Sequence, residues 1–294
     1  MPAQKRSGAH EERPGPQIFG PVVANPDVQV LDRSSARAID TRYARTLTRV
    51  IDPQWWQLAL AGVAVLAGAM AVRTTGMGFA LLSSPFLVMA LGPFEGILVT
   101  NVCGIVAATL NLTIVHADLD WRRAASVVPA GIVGTVPGAL LVLWLPPAVL
   151  AIAISLLVIT GLLFTVASRS LQVPNSPWVG ATGGFASGLM NVTAGVGGPG
   201  LVVYALATRW EHRSFAATAQ LHFAVLGVAA LVAKWSLPSL SVTGWVVLLG
   251  LLVAGLIGGN VLARWVHGAR ATRWVIVIAM VGALISLTQG LIQL

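Results

Sequence analysis

Charge is what this sequence has least of. Only 10% of its 294 residues are Asp, Glu, Lys or Arg, against about 25% in a typical soluble domain, and so small a charged fraction excludes an ordinary water-facing surface. There is one cysteine, Cys103, so neither a disulfide framework nor a thiolate metal cluster can be built. Lying in an apolar run, it reads as a buried structural thiol. Acids are scarcest of all: beyond Pro53 only Glu95, Asp118, Asp120 and Glu211 remain, each in or beside an expected loop. A cation site or carboxylate proton relay would need an acid at membrane depth, and none is placed there. HExxH, GxSxG and Walker signatures are missing too, so no enzyme, metal site or cofactor is expected. No nucleic-acid partner is expected either.

What fills the chain instead is apolar: 56% of residues, with a mean hydropathy of +0.82. Ten apolar segments follow Trp55, at 55–72, 78–91, 96–115, 124–145, 147–167, 178–191, 196–208, 215–233, 240–263 and 272–292. A helical crossing takes about 20 residues, so most can span, while 78–91, 178–191 and 196–208 are short enough to be half-helices or re-entrant arms. Trp55, Trp56, Trp121, Trp144, Trp178, Trp210, Trp235, Trp265 and Trp274 lie near segment ends, where an amphipathic ring sits at headgroup level. The expectation is an all-α polytopic protein of the cell membrane, with the lipid bilayer as its first partner.

Residues 1–52 differ, being rich in Pro, Gly, Ser, Arg and Asp with too few apolar residues for a core, and read as a disordered tail. A short surface helix over 37–50 is the one element proposed there. No secretory leader is expected, and Glu11, Glu12, Asp27, Asp32 and Asp40 argue against an organelle transit peptide.

The remainder divides into a first repeat (53–168), a linker (169–177) and a second repeat (178–294). GMG at Gly76 to Gly78 overlays GVG at Gly195 to Gly197, Phe94 overlays Phe215, Asn101 overlays His222, and AGIVG at Ala130 to Gly134 overlays AGLIG at Ala254 to Gly258. In the first copy the loop after the third segment carries Arg122 and Arg123 and the next none; in the second copy the corresponding loops carry Lys234, then Arg264, Arg270 and Arg273. Under the positive-inside rule the copies are inverted, which calls for an odd number of segments, five, in each. The arginine-rich face is then cytoplasmic, Lys234 lies in a loop on the other face, and both termini lie outside.

Two stretches cannot stay helical: TTGMGFALLSSP from Thr74 to Pro85 and NVTAGVGGPG from Asn191 to Gly200. Lipid cannot satisfy freed backbone groups, so such breaks persist only where protein buries them or a cavity meets them. Matching breaks in two repeats point to a transporter's binding site. Free amides at a helix start favour an anion, and glycine lets the backbone approach it. The lining expected is Thr75, Gly76, Gly78 and Ser84 from the first half with Asn191, Thr193, Gly195, Gly197 and Gly198 from the second, joined by Asn101 and His222 from helix interiors. For the glycines a tight turn or close helix packing is the plainer role, for Ser and Thr a bond to a neighbouring carbonyl, and for Asn101 an interhelical bond. His222 can donate to an anion and change charge near neutral pH. Gly131, Gly134, Gly138, Gly255, Gly258 and Gly259 read as helix-packing positions.

TTGMGFALLSSPFLVMALGP followed by VTNVCG, with GLMNVTAGVGGPGLVVYAL in the second half, resembles the sulfite exporter TauE/SafE family of multi-pass permeases over about residues 57–290. GVGGP is close to the family pattern; GMGF lacks the triple glycine of many members. The resemblance implies transport of sulfite, an organosulfonate or a related small anion. A carrier, an anion channel, and a membrane-embedded enzyme or assembly subunit are the alternatives, and a homodimer is among the states the sequence allows.

Overall fold

The computed structural model describes residues 53–76, 78–167, 172–264 and 269–292; the tail at 1–52, with its proposed surface helix, lies outside them. Among the described residues ten α-helices and no strand are found. They are α1 (Trp55–Thr75), α2 (Phe79–Leu91), α3 (Pro93–Val115), α4 (Trp121–Trp144), α5 (Pro147–Ala167), α6 (Pro177–Ala194), α7 (Gly198–Ala207), α8 (His212–Lys234), α9 (Val242–Leu262) and α10 (Ala269–Ile292), with one 3-10 turn at His116–Asp118. Seven are long and apolar enough to cross a membrane. The expected segments 78–91 and 196–208 are indeed short, 13 and 10 residues as α2 and α7, whereas 178–191 belongs to a longer helix, the 18-residue α6. The chain is a multi-pass integral membrane protein.

Local chemistry sets the ends. Asp120, Ser176 and Ser241 cap α4, α6 and α9 by accepting bonds from Arg123, Val179 and Gly244 amides, and Glu211 caps α8 through the amides of Arg213 and Ser214, each answering donors a helix start leaves open. The interior is then assembled by small residues, because lipid supplies no hydrophobic drive between helices. A methyl on Gly62 would meet Leu251, one on Gly255 would meet Leu66 and Ala69, and one on Gly259 would meet Met70 and Arg73. Rising numbers against rising numbers make α1 and α9 parallel. Gly184 against Val127, Gly188 against Gly131 and Gly138 against Leu189 and Val192 make α4 and α6 parallel in the same way. In contrast, Gly227 meets Ile105 while Arg213 pairs with Asp118 at 3.7 Å, so α3 and α8 are antiparallel. The glycines expected at helix crossings sit there, save Gly258, which has only the tip of Met70 near it.

These contacts recur when five is added to the helix number: α1 with α2 as α6 with α7, α4 with α6 as α9 with α1, α2 with α10 as α7 with α5. The α2–α3 and α4–α8 contacts are exceptions, each far more extensive than its counterpart, α7–α8 and α9–α3. Gly92 alone turns the chain between α2 and α3, and Gly96 lies on the Leu87 and Val88 backbone. The joint between α7 and α8 is longer and wedges Trp210 between Tyr204 and Phe215, with ring centroids 5.6 and 5.5 Å away.

Two expectations need correction. Trp210 is not part of an interfacial belt but is buried under the Arg123 guanidinium, 4.6 Å from its ring; Trp55, Trp121, Trp144, Trp178 and Trp235 are exposed as expected, while the side chains of Trp265 and Trp274 lie outside those described. Lys234 is not in a water-facing loop: it ends α8, 3% exposed, and its Nζ has no hydrogen-bond partner among the described residues. The left-handed turn at Trp235 (φ 49) that closes α8 comes one residue later than the loop expected from charge.

Candidate functional site

The two breaks have nearly the same backbone. Gly76 (φ 82, ψ −7) and Gly195 (φ 69, ψ 4) close α1 and α6 in the left-handed conformation, sending their N–H groups to the carbonyls of Val72 and Asn191. A side chain is strained there, which is why glycine stands at both. Two residues on, Gly78 (φ −82, ψ −5) and Gly197 (φ −81, ψ −11) open α2 and α7, and neither start has a side-chain cap. Their first-turn amides are therefore left for something other than a capping side chain.

Both starts reach one cavity of about 40 Å³. A single buried water takes roughly 10–15 Å³, so the space suits a small polyatomic ligand. Phe79, Ala80 and Leu81 line it from the first turn of α2, Gly195, Gly197 and Gly198 from the second break, Thr100, Asn101 and Gly104 from α3, Asn191 from α6, and Gln220 and Phe223 from α8. No charged side chain is among its lining residues. The carboxamides are held in place: Asn101 donates to the Ile97 carbonyl at 2.9 Å and accepts from Asn191 Nδ2 at 3.0 Å, while Gln220 Nε2 donates to the Gly76 carbonyl at 2.6 Å. Each side-chain NH2 carries two hydrogens, so Asn101, Asn191 and Gln220 each keep one beyond the bond described.

Of the eleven residues expected from sequence, Asn101, Asn191, Gly195, Gly197 and Gly198 come together here. The others do not line this cavity. Thr75 and Thr193 donate their hydroxyls back to Ala71 and to Leu189 and Met190. Ser84 reaches from α2 to the Ala194 carbonyl at the end of α6 and so braces the second break. Gly76 opens to a different cavity, described below, and Gly78 to an apolar one with Thr75 and Leu162. His222 is fully buried behind the site. Its Nε2 lies 2.9 Å from Ser187 Oγ, and that hydroxyl donates to the Gly197 carbonyl at 2.7 Å. With the serine hydrogen committed to Gly197, the shared bond makes His222 Nε2 the donor, leaving Nδ1, which has no partner among the described residues, as the bare nitrogen. The Tyr204 hydroxyl donates to Asn175.

Among the lining residues not singled out are Thr100, Gln220 and Phe223. Gln220 carried a visible signal, a primary amide in an apolar helix where an unpaired polar group is costly; overlaying Asn101 on His222 drew attention two residues too far.

The geometry is of a kind a transporter needs: two half-helix starts, at two breaks of like backbone, facing one uncharged polar cavity inside a bundle of spanning helices. No curated protein and no solved structure matches the chain. A family model does, over residues 60–287, and its description is sulfite exporter TauE/SafE. That match takes in every residue that lines the cavity, and on it the chain belongs to the sulfite exporter TauE/SafE family of membrane transporters.

Proposed function

We propose that this protein is a permease of the cell membrane for a small anion such as sulfite or an organosulfonate, and that the anion is held between the starts of α2 and α7. The observation that carries this reading is the pair of uncapped half-helix N-termini on a cavity without a charged residue. Each start presents free amides and partial positive charge, which suits an anion and disfavours a cation. Amides and carboxamides, at about 1.5 to 3 kcal/mol per charge-assisted bond, can hold the anion without a fixed counter-charge. The family's printed name supports sulfite as the first candidate.

Alternating access follows if α1–α5 and α6–α10 are one unit used twice, the second upside down. Support comes from the contact pairs that repeat on adding five and from the parallel α1–α9 and α4–α6 packing. Rocking of one unit on the other would expose the shared cavity to each face in turn. The test is flux in proteoliposomes with sulfite, sulfoacetate, taurine, sulfate and thiosulfate. Saturable flux with counterflow of at least one of these is expected, lost in Asn191→Leu and Gln220→Leu at normal yield of folded protein. Flux that neither saturates nor shows counterflow identifies a channel instead, and no flux of any of the five rejects the permease reading.

A further inference from the structure

Beside the central cavity lies a second and larger one, of about 250 Å³, lined by Val72, Arg73, Thr74, Gly76, Asn111, Val115, Asp118, His212, Arg213, Ala216 and Gln220. We propose that it is a separate anion-binding vestibule, in which Arg73 holds the incoming small anion before Gln220 admits it to the central site. The proposal rests on the permease reading only for what the vestibule is for; that it attracts anions stands on its own residues.

The argument begins with charge. Arg213 pairs with Asp118, at 3.7 Å, and the two side chains are 79% and 40% exposed, so the pair marks the mouth and its charges offset each other. Arg73 has no ion-pair partner among the described residues, and its Nε is buried without a hydrogen-bond acceptor. A guanidinium carries five donors and is never deprotonated. A buried donor left unsatisfied is uncommon in folded proteins and asks for a reason, and an anion in the cavity Arg73 lines supplies one. Packing leaves the side chain little freedom to turn away, since its Cβ and Cγ lie against Gly259, where an added methyl would meet them at 2.8 and 3.1 Å.

The second part concerns what separates the cavities. Val72 and Gln220 line both. Gln220 is buried, and its Nε2 bonds the Gly76 carbonyl, tying α8 to the first break at the boundary between the two spaces. An anion passing inward must break or turn that bond, and Gln220 can then donate the same hydrogen to the anion. Gln220 thus serves as a partition whose opening is coupled to ligand transfer. The vestibule and the central site also differ in kind. One offers a fixed cation near water, which raises local anion concentration, and the other offers neutral dipoles in a cavity without a charged side chain.

The experiment reads the vestibule's potential directly. Thr74, half-buried in its wall, is changed to cysteine; the native Cys103 is 0% exposed, so the introduced thiol is the one that reacts. In phosphatidylcholine vesicles its labelling by an anionic sulfonatoethyl and a cationic trimethylammonioethyl methanethiosulfonate is compared, relative to a free small thiol. The anionic reagent is expected to be favoured by about tenfold, the size of one partly screened charge at close range. Arg73→Gln abolishes that preference, Arg73→Lys retains it, and high salt collapses it in the Thr74→Cys protein with Arg73 in place, so the result does not depend on one variant folding. Sulfoacetate at increasing concentration is expected to slow labelling, still so in Asn191→Leu but not in Arg73→Gln. A preference unchanged in Arg73→Gln, or protection that follows Asn191 and ignores Arg73, overturns the vestibule. If anions cross the membrane yet the preference is absent, the vestibule falls and the permease stands. If the preference is present and none of the five anions crosses, the permease falls and the vestibule stands.

Discussion

The glycines of the second break divide into three roles that their letters do not distinguish. Gly195 is needed for its positive φ; Gly197 and Gly198 have ordinary dihedrals available to any residue. A methyl on Gly197 would strike Ser187 Oγ at 2.9 Å and the Ser187 carbonyl at 3.0 Å, whereas one on Gly198 meets only Leu81 Cδ1 at 3.7 Å, itself a cavity residue. The substitution that probes close approach to a ligand is therefore Gly198→Ala. Its expected outcome is roughly a tenfold loss of affinity for the transported anion, the equivalent of about 1.4 kcal/mol, with an unchanged melting temperature. Gly197→Ala should lower the melting temperature first, because it pushes on the Ser187 hydroxyl that pins the Gly197 carbonyl. Calorimetry and thermal unfolding on both variants check this; a destabilised Gly198→Ala with full affinity would assign it to packing as well. The sequence made the cavity-lining glycines legible as a group because backbone breaks are visible in it. It hid their division, which depends on where each missing Cβ points. The same limit explains Gln220 and His222. Two residues on an α-helix are separated by about 200°, so an overlay displaced by two positions trades a cavity-facing side chain for one on the opposite face, and His222 indeed faces Ser187.

At the scale of the element, the ten segments and two of the three short members were legible, since apolar length and Gly/Pro breaks are properties of the letters. Caps were less so. Glu211 was read only as a loop acid, but its carboxylate closes the start of α8. The amides of Ser214 and Arg213 bonding to it hold its pKa below the ordinary carboxylate value. The sign follows from linkage: a carboxylate whose pKa is depressed by folding contributes stability above its unfolded value, about 4.3 for Glu, and loses it as pH falls through the folded one. Glu211→Gln should therefore melt below the unsubstituted protein at pH 7, and the gap should narrow at a pH below the unfolded value. Melting curves at the two pH values decide it; a gap that persists at low pH means the glutamate acts through shape and not charge.

For the whole molecule, the arginine pattern anticipated two faces, and the helix directions give those faces an independent physical basis. Since α1 and α9 are parallel, Arg73 at the end of one and Arg264 just past the end of the other lie on the same side. Antiparallel α3 and α8 bring Asp118 and Arg213 to one side together, and Arg73, Asp118 and Arg213 share the vestibule. The start of α4 belongs there too, because Asp120 N–H donates to Thr218 and Arg123 donates to Thr208. The far end of α4 at Trp144 and the turn after α8 at Leu237 are exposed, 80% and 72%, and fall on the opposite side. Lys234, on which the charge argument leaned for that face, is buried, so labelling there would report packing and not sidedness. Leu237 is the position to use. Single cysteines at Arg122, Arg213, Trp144 and Leu237 in intact cells, challenged with a membrane-impermeant maleimide before and after permeabilisation, should fall into two pairs. Arg122 and Arg213 are expected to be protected until permeabilisation, because an arginine-rich face is retained in the cytoplasm, while Trp144 and Leu237 react at once. Arg122 and Arg213 separating from each other would contradict the packing of α4 against α8. Arg122 and Arg213 reacting at once, with Trp144 and Leu237 protected, would keep the bundle and invert it in the membrane, and would place the vestibule where it receives anions from outside.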